Sequence, residues 1–117
     1  MGAANHGLGA LYPDLVEHGG LAQAMVSLAH GRGIDLGTMS AGSGPGQFLT
    51  AEVRSGRGVV RVLLGAESRW FSITIADRNH VWASGGSAEL SDVVRVADSW
   101  RRGVGVEELR SRFPFME

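Results

Sequence analysis

Residues 59–76 read VVRVLLGAESRWFSITIA, the most apolar part of the chain, broken in the middle by Gly65-Ala66-Glu67-Ser68. Val, Ile, Leu, Phe and Trp on either side of such a break predict two strands joined by a short turn. Alternation separates their faces. Val60, Val62 and Leu64 fall on one side with Phe71, Ile73 and Ile75, a plain core face. Val59, Arg61 and Leu63 fall on the other with Trp70, Ser72 and Thr74, where an arginine and a tryptophan stand among small polar groups. A four-residue loop at 65–68 would set Leu63 opposite Trp70.

Upstream, residues 47–54 predict another strand, Gln47 to Arg54, with Leu49, Ala51 and Val53 on one face and Phe48, Thr50, Glu52 and Arg54 on the other. Ser55-Gly56-Arg57-Gly58 supplies the turn. Counting back from it sets Val53 opposite Val60 and Glu52 opposite Arg61. Opposite charges across a strand pair stabilise by a few tenths of a kcal/mol to about 1 kcal/mol, so this register is self-consistent. Downstream, Asp77-Arg78-Asn79 turns the chain into a fourth strand. A three-residue loop would put Val81 and Ala83 on the core face and His80, Trp82 and Ser84 on the mixed face; a two-residue loop would reverse these roles. The three-residue form is favoured, because it buries Val81 and spares His80 burial.

Helices flank the strands. Tyr12-Pro13-Asp14 opens a short turn in which Asp14, with Glu17 three residues on, resembles a capping box. A helix follows from about Leu21 to His30, with Leu21, Ala24, Met25 and Leu28 as its apolar stripe and Gly31 beyond. Past the sheet, Ser87 can cap a helix whose Leu90, Val93, Val94, Ala97 and Trp100 form the clearest amphipathic stripe in the chain. A shorter helix spans about Val106–Arg112. The apolar end, Phe113-Pro114-Phe115-Met116-Glu117, is expected either to pack onto the domain or to continue in a longer chain. Residues 1–12 read as a loose start. Residues 31–46 read as a long Gly/Ser-rich loop with a short extended piece at Ile34–Leu36. These elements predict one α+β domain over residues 1–117: a four-stranded antiparallel meander sheet, with an N-terminal helix and two C-terminal helices packed mainly on one face.

Composition narrows the chemistry. A 117-residue chain with 44% hydrophobic and 20% charged residues is an ordinary globular domain. Its formal net charge of -1 supplies no bulk attraction to nucleic acid or to an anionic membrane. It has no cysteine and no lysine; all 11 basic residues are arginine. Disulfides, thiolate metal sites, a Walker A loop and Schiff-base chemistry are thereby excluded. No segment approaches the roughly 20 apolar residues of a membrane span, and the first residues lack a signal-peptide pattern, so the cytoplasm is the expected location. The histidines at 6, 18, 30 and 80 show no metal-ligand spacing, and no metal or cofactor is expected. Gly42-Ser43-Gly44-Pro45-Gly46 fails the dinucleotide-loop pattern, since Gln47 stands where a glycine is needed.

The C-terminal third also carries a recognisable pattern. Val96-Ala97-Asp98-Ser99-Trp100-Arg101-Arg102-Gly103, then Val106-Glu107-Glu108-Leu109, then Phe113-Pro114-Phe115, resembles an actinomycete family of unknown function known only as "natural product biosynthesis protein". Tyr12-Pro13-Asp14 and Gly19-Gly20-Leu21-Ala22 are similar too. The resemblance implies a biosynthetic-cluster context and supplies no catalytic residues.

Two kinds of function fit these residues. The mixed sheet face, with Phe48, Glu52, Arg61, Leu63, Trp70 and Trp82, reads as a docking surface for a protein or peptide partner, a flat ligand or a second copy. Its alternative is cover by the chain's own C-terminal segment. Catalysis, of cyclase or isomerase type, would fall to His80, Asp77 and Glu52, with the arginines positioning a carboxylate. Asp-Arg-Asn is equally an ordinary turn.

Overall fold

A computed structural model describes residues 10–41, 49–65, 67–78 and 80–117. In chain order the elements are α1 (Pro13–His18), α2 (Leu21–Gly31), β1 (Thr38–Ala41), β2 (Thr50–Ser55), β3 (Gly58–Leu64), β4 (Phe71–Asp77), β5 (His80–Ser87), α3 (Leu90–Arg101) and α4 (Val106–Arg112). The strands form one antiparallel sheet in the order β1-β2-β3-β4-β5.

The predicted core face is the real one. Ala51, Val53, Val60, Val62, Phe71, Ile73, Ile75 and Ala83 are buried in a single hydrophobic cluster. That cluster also holds Leu15 of α1, Leu21 and Met25 of α2, Val93, Val94, Ala97 and Trp100 of α3, and Leu109 of α4. The β2–β3 register is the predicted one, with Val53 opposite Val60 and Glu52 opposite Arg61.

The sheet has five strands rather than four. Thr38–Ala41 pairs with β2 inside the stretch expected to be loop, and the extended piece predicted at Ile34–Leu36 is not a strand. Thr-Met-Ser-Ala has no run of branched or aromatic residues, so its strand character comes from pairing rather than propensity. Of the strand predicted from Gln47, Thr50 onward is observed; Gln47, Phe48 and the glycine-rich stretch before them lie outside the described residues.

Two further registers differ. Gly65 extends the β3–β4 ladder, its N–H donating to the Trp70 carbonyl at 2.8 Å, so the loop is 66–69 and Leu63 faces Ser72, not Trp70. The slip is two residues and leaves every side chain on its predicted face. At β4–β5 the outcome is mixed. Asp77 pairs with His80 across a two-residue turn in which Arg78 has φ of 56°, a left-handed conformation typical of tight hairpins. Ala76 then faces Val81, but Ile75 faces Ala83, leaving Trp82 as the extra residue of a bulge. The short turn puts Val81 on the outer face, 57% exposed, instead of in the core. The bulge restores phase, so Ala83 is buried as expected. Alternation alone cannot register an inserted residue. Accordingly, Val81→Lys is expected to change the urea midpoint by no more than about 0.5 kcal/mol equivalent; a core valine would cost several times that.

The apolar end packs onto the domain. Met116 bridges to Gly85, and Glu117 and Ser84 exchange two backbone hydrogen bonds of 2.7 and 3.0 Å along the outer rim of β5. Phe113 and Met116 are buried. Gly85 permits this approach: a Cβ there would lie 2.8 Å from the Met116 Cα. The helix caps are not the predicted ones. Pro13 occupies the first turn of α1, and Tyr12, not Asp14, stands at its N-cap. Ser87 sits at the end of β5, where its hydroxyl accepts from the Glu89 N–H and donates to Asp92 Oδ2 at 2.7 Å.

Candidate functional site

The residues expected to share one face are divided between two. On the outer face, Glu52 of β2 holds two arginines. Arg54 Nη2 lies 2.9 Å from its Oε1 and Arg61 Nε lies 2.9 Å from its Oε2. Each oxygen is bonded to one arginine, so the carboxylate is held in place by two guanidiniums, and the group carries one net positive charge. Exposed ion pairs of this kind contribute about 0–1 kcal/mol to stability, so their value is in shaping the surface. Leu63 is 45% and Trp70 44% exposed on the same face. Ser72, cross-strand from Leu63, stands between Leu63 and Gly86.

Trp70 is held from both sides of the sheet. Its indole lies against Gly86 of β5, where a Cβ would come within 2.6 Å of Cε2. Its backbone is fixed by Tyr12, which is fully buried. The Tyr12 hydroxyl donates toward the Gly65 carbonyl at 2.7 Å, with the Ser68 and Trp70 carbonyls at 3.1 and 3.2 Å, and accepts the Trp70 N–H at 3.0 Å. One phenol thus organises the whole β3–β4 loop. The Tyr12 ring meets Phe71 edge-on at 5.8 Å.

Beside it, Arg69 clamps the same loop to the N-terminal segment. Its guanidinium donates to both Asp14 oxygens at 2.8 and 3.0 Å, to the Leu11 carbonyl at 3.1 Å and, through Nε, to the Ala88 carbonyl at 3.1 Å. The hydrogen bond from Arg69 holds the Asp14 carboxyl below its ordinary value, against the opposing effect of burial. A depressed folded-state value means the pair stabilises the fold above the unfolded value of about 3.9, and that contribution is lost as pH falls through the lower folded value. Asp14→Asn is therefore expected to cost about 1 kcal/mol at pH 7. The difference from wild type should shrink towards zero in urea titrations carried well below pH 4.

Trp82 and His80, expected on the outer face, lie instead with Asp77. Asp77 and His80 share the phase of Ile75, and Trp82, two residues on from His80, lies beside them, with the His80 and Trp82 rings edge-to-face at 4.3 Å. There Trp82 lines a cleft of about 270 Å³ with Arg57, Asp77, Trp100 and Val106. The Arg57 guanidinium lies 3.8 Å from the Trp100 ring centroid. It donates to the carbonyls of Trp100 and of Val104, the latter at 3.0 Å, at the C-terminal end of α3. His80 and Asp77 are thus neighbours, but Glu52 lies on the opposite side of the sheet and does not join them.

A third feature was not foreseen. A cavity of about 610 Å³ opens between α1, α2 and the start of α3. Ala24, Leu28 and Leu90 give it an apolar floor, and the Asp14–Arg69 pair, His18, Arg32 and Glu89 give it a charged rim. Neither Tyr12, Arg69 nor this cavity was legible as a site, because each depends on residues more than fifty positions apart; the Tyr-Pro-Asp tripeptide was the one local signal.

Among the described residues, no cluster of three or more His, Asp or Glu side chains could hold a metal ion, and no helix is long and apolar enough to cross a membrane. Comparison of the chain with protein-family models, with curated proteins and with solved structures gave no match.

Proposed function

We propose that the protein is a small accessory module that holds a polypeptide partner against the outer face of its sheet, within a natural-product biosynthetic assembly. The observation behind this reading is the pairing of exposure with immobilisation at Trp70. Its indole is open to solvent yet seated on Gly86, and its backbone is tied by Tyr12, so little side-chain entropy remains to be lost on binding. The reading takes the helices to sit mainly over the buried face, leaving this one free. Further along the same face Arg54 and Arg61 outnumber Glu52, so the complementary partner presents an apolar side chain together with an Asp or Glu. The biosynthetic setting rests on the resemblance of the two ends of the chain to the actinomycete family.

Selection of a displayed random-peptide library on the immobilised chain tests this. Enriched peptides should combine an aromatic or aliphatic residue with an acidic one, and Trp70→Ser should weaken them by at least about tenfold. Arg61→Ala should reduce the preference for the acidic residue. Peptides that bind the Trp70→Ser chain equally well, or no enrichment at all, would refute the reading. So would a concentration-dependent dimer in sedimentation that Leu63→Glu disperses, which assigns the face to a second copy.

A small enzyme of cyclase or isomerase type is the second reading. It is favoured by the juxtaposition of Asp77 and His80 beside the Trp82 cleft, and it predicts turnover that His80→Ala removes.

A further inference from the structure

We infer that the cavity between α1, α2 and the start of α3 binds a small zwitterion with an apolar body, of the class of a free aliphatic α-amino acid. The inference is independent of the sheet face. A volume of about 610 Å³ lies within the usual range for small-ligand sites. Residues Ala24 to Arg32 along its wall span about 12 Å of helix, enough for a molecule of this size.

Charge selects the class. Four formal charges line the rim, two carboxylates and two guanidiniums. Asp14 and Arg69 neutralise one another through two short hydrogen bonds. Glu89 and Arg32 form no ion pair within 4.0 Å among the described residues, although Glu89 acts on Arg69 through space. Glu89 stands next to Ala88, whose carbonyl Arg69 holds, while Arg32 follows the last turn of α2. The site therefore offers one acceptor of an ammonium and one partner for a carboxylate that make no direct ion-pair contact of their own. Leu28 and Leu90 add apolar surface to the same lining. A phosphate-rich ligand would meet Glu89, and a polyamine Arg32, so each is disfavoured by like charge. An aliphatic amino acid satisfies both groups and covers the floor.

The test is an amide NMR titration of the full chain with L-leucine, and with leucinamide and N-acetyl-leucine, which lack the carboxylate and the ammonium respectively. L-Leucine should shift the amides of Ala24–Arg32 and Glu89–Ser91 saturably, and each control should bind about tenfold more weakly or worse. Glu89→Gln should reduce L-leucine to the affinity of N-acetyl-leucine, and Arg32→Ala to that of leucinamide. Both side chains are exposed and Glu89 makes no side-chain cap bond, so the spectra of the variants should otherwise overlay the parent. Absence of saturable shifts up to the solubility limit of L-leucine would overturn the inference. So would equal binding of the controls, or saturable shifts centred on other elements.

Discussion

Tyr12→Ala should lower the unfolding free energy by about 4 kcal/mol, one of the two largest effects available in this chain. Deleting a fully buried aromatic ring removes its transfer energy and leaves a cavity; changes of this kind cost about 3–5 kcal/mol. Tyr12→Phe separates the two contributions. It keeps the ring and its edge contact with Phe71, but strips the Gly65 carbonyl and the Trp70 N–H of their shared partner. Leaving such groups unpaired costs about 1–3 kcal/mol. Equilibrium urea unfolding of both variants measures the split. Amide exchange should also accelerate at Trp70 in Tyr12→Phe while β2 and β3 keep their protection. Equal stability of wild type and Tyr12→Phe would show that the hydroxyl contributes nothing net.

The second large effect is expected at Gly85. Valine there would drive its side chain into the backbone of Phe115 and Met116, and neither backbone can yield while Glu117 remains bonded to Ser84. Relief comes by detaching residues 113–117, which surrenders the burial of Phe113 and Met116. Each such side chain stabilises by about 1.5–3 kcal/mol, so the expected loss is about 3 kcal/mol or more. Limited proteolysis would report it directly, since the Phe115–Met116 bond becomes accessible to a chymotrypsin-type protease before the rest of the domain opens, while the Phe113–Pro114 bond resists such a protease in either state. A Gly85→Val protein with wild-type stability and an uncut C-terminus would contradict the close approach.

How far the sequence could be read follows from the range of each interaction. The alternation in residues 59–76 assigned Val60, Val62, Phe71, Ile73 and Ile75 to the core, because a strand's period is a local property. The β2–β3 register was equally legible, since a tight turn fixes it and Glu52 with Arg61 confirms it. The α3 stripe was legible for the same reason at helical period. The failures share a cause. β1 has no intrinsic preference and depends on β2. The outer-face reading of Trp82 follows from a three-residue turn; the observed two-residue turn puts Trp82, like His80, in phase with Ile75, and the bulge that a period-two count cannot register returns only Ala83 to the core. Asp14 reads locally as a cap because its true partner, Arg69, is 55 residues away. Of the docking residues, Trp70, Leu63, Arg61 and Glu52 stay together on the outer face, and Phe48 falls outside the described residues. Trp82 joins His80 and Asp77 elsewhere.

The chain's three indoles occupy three unlike surroundings: Trp70 lies exposed over a glycine, Trp82 as exposed beside an imidazole, and Trp100 enclosed beneath a guanidinium. A neutral quencher such as acrylamide can collide with the first two and is shut out from the third. The emission surviving at high quencher is therefore the light of Trp100 alone, an optical gauge of whether Arg57 still covers the end of α3.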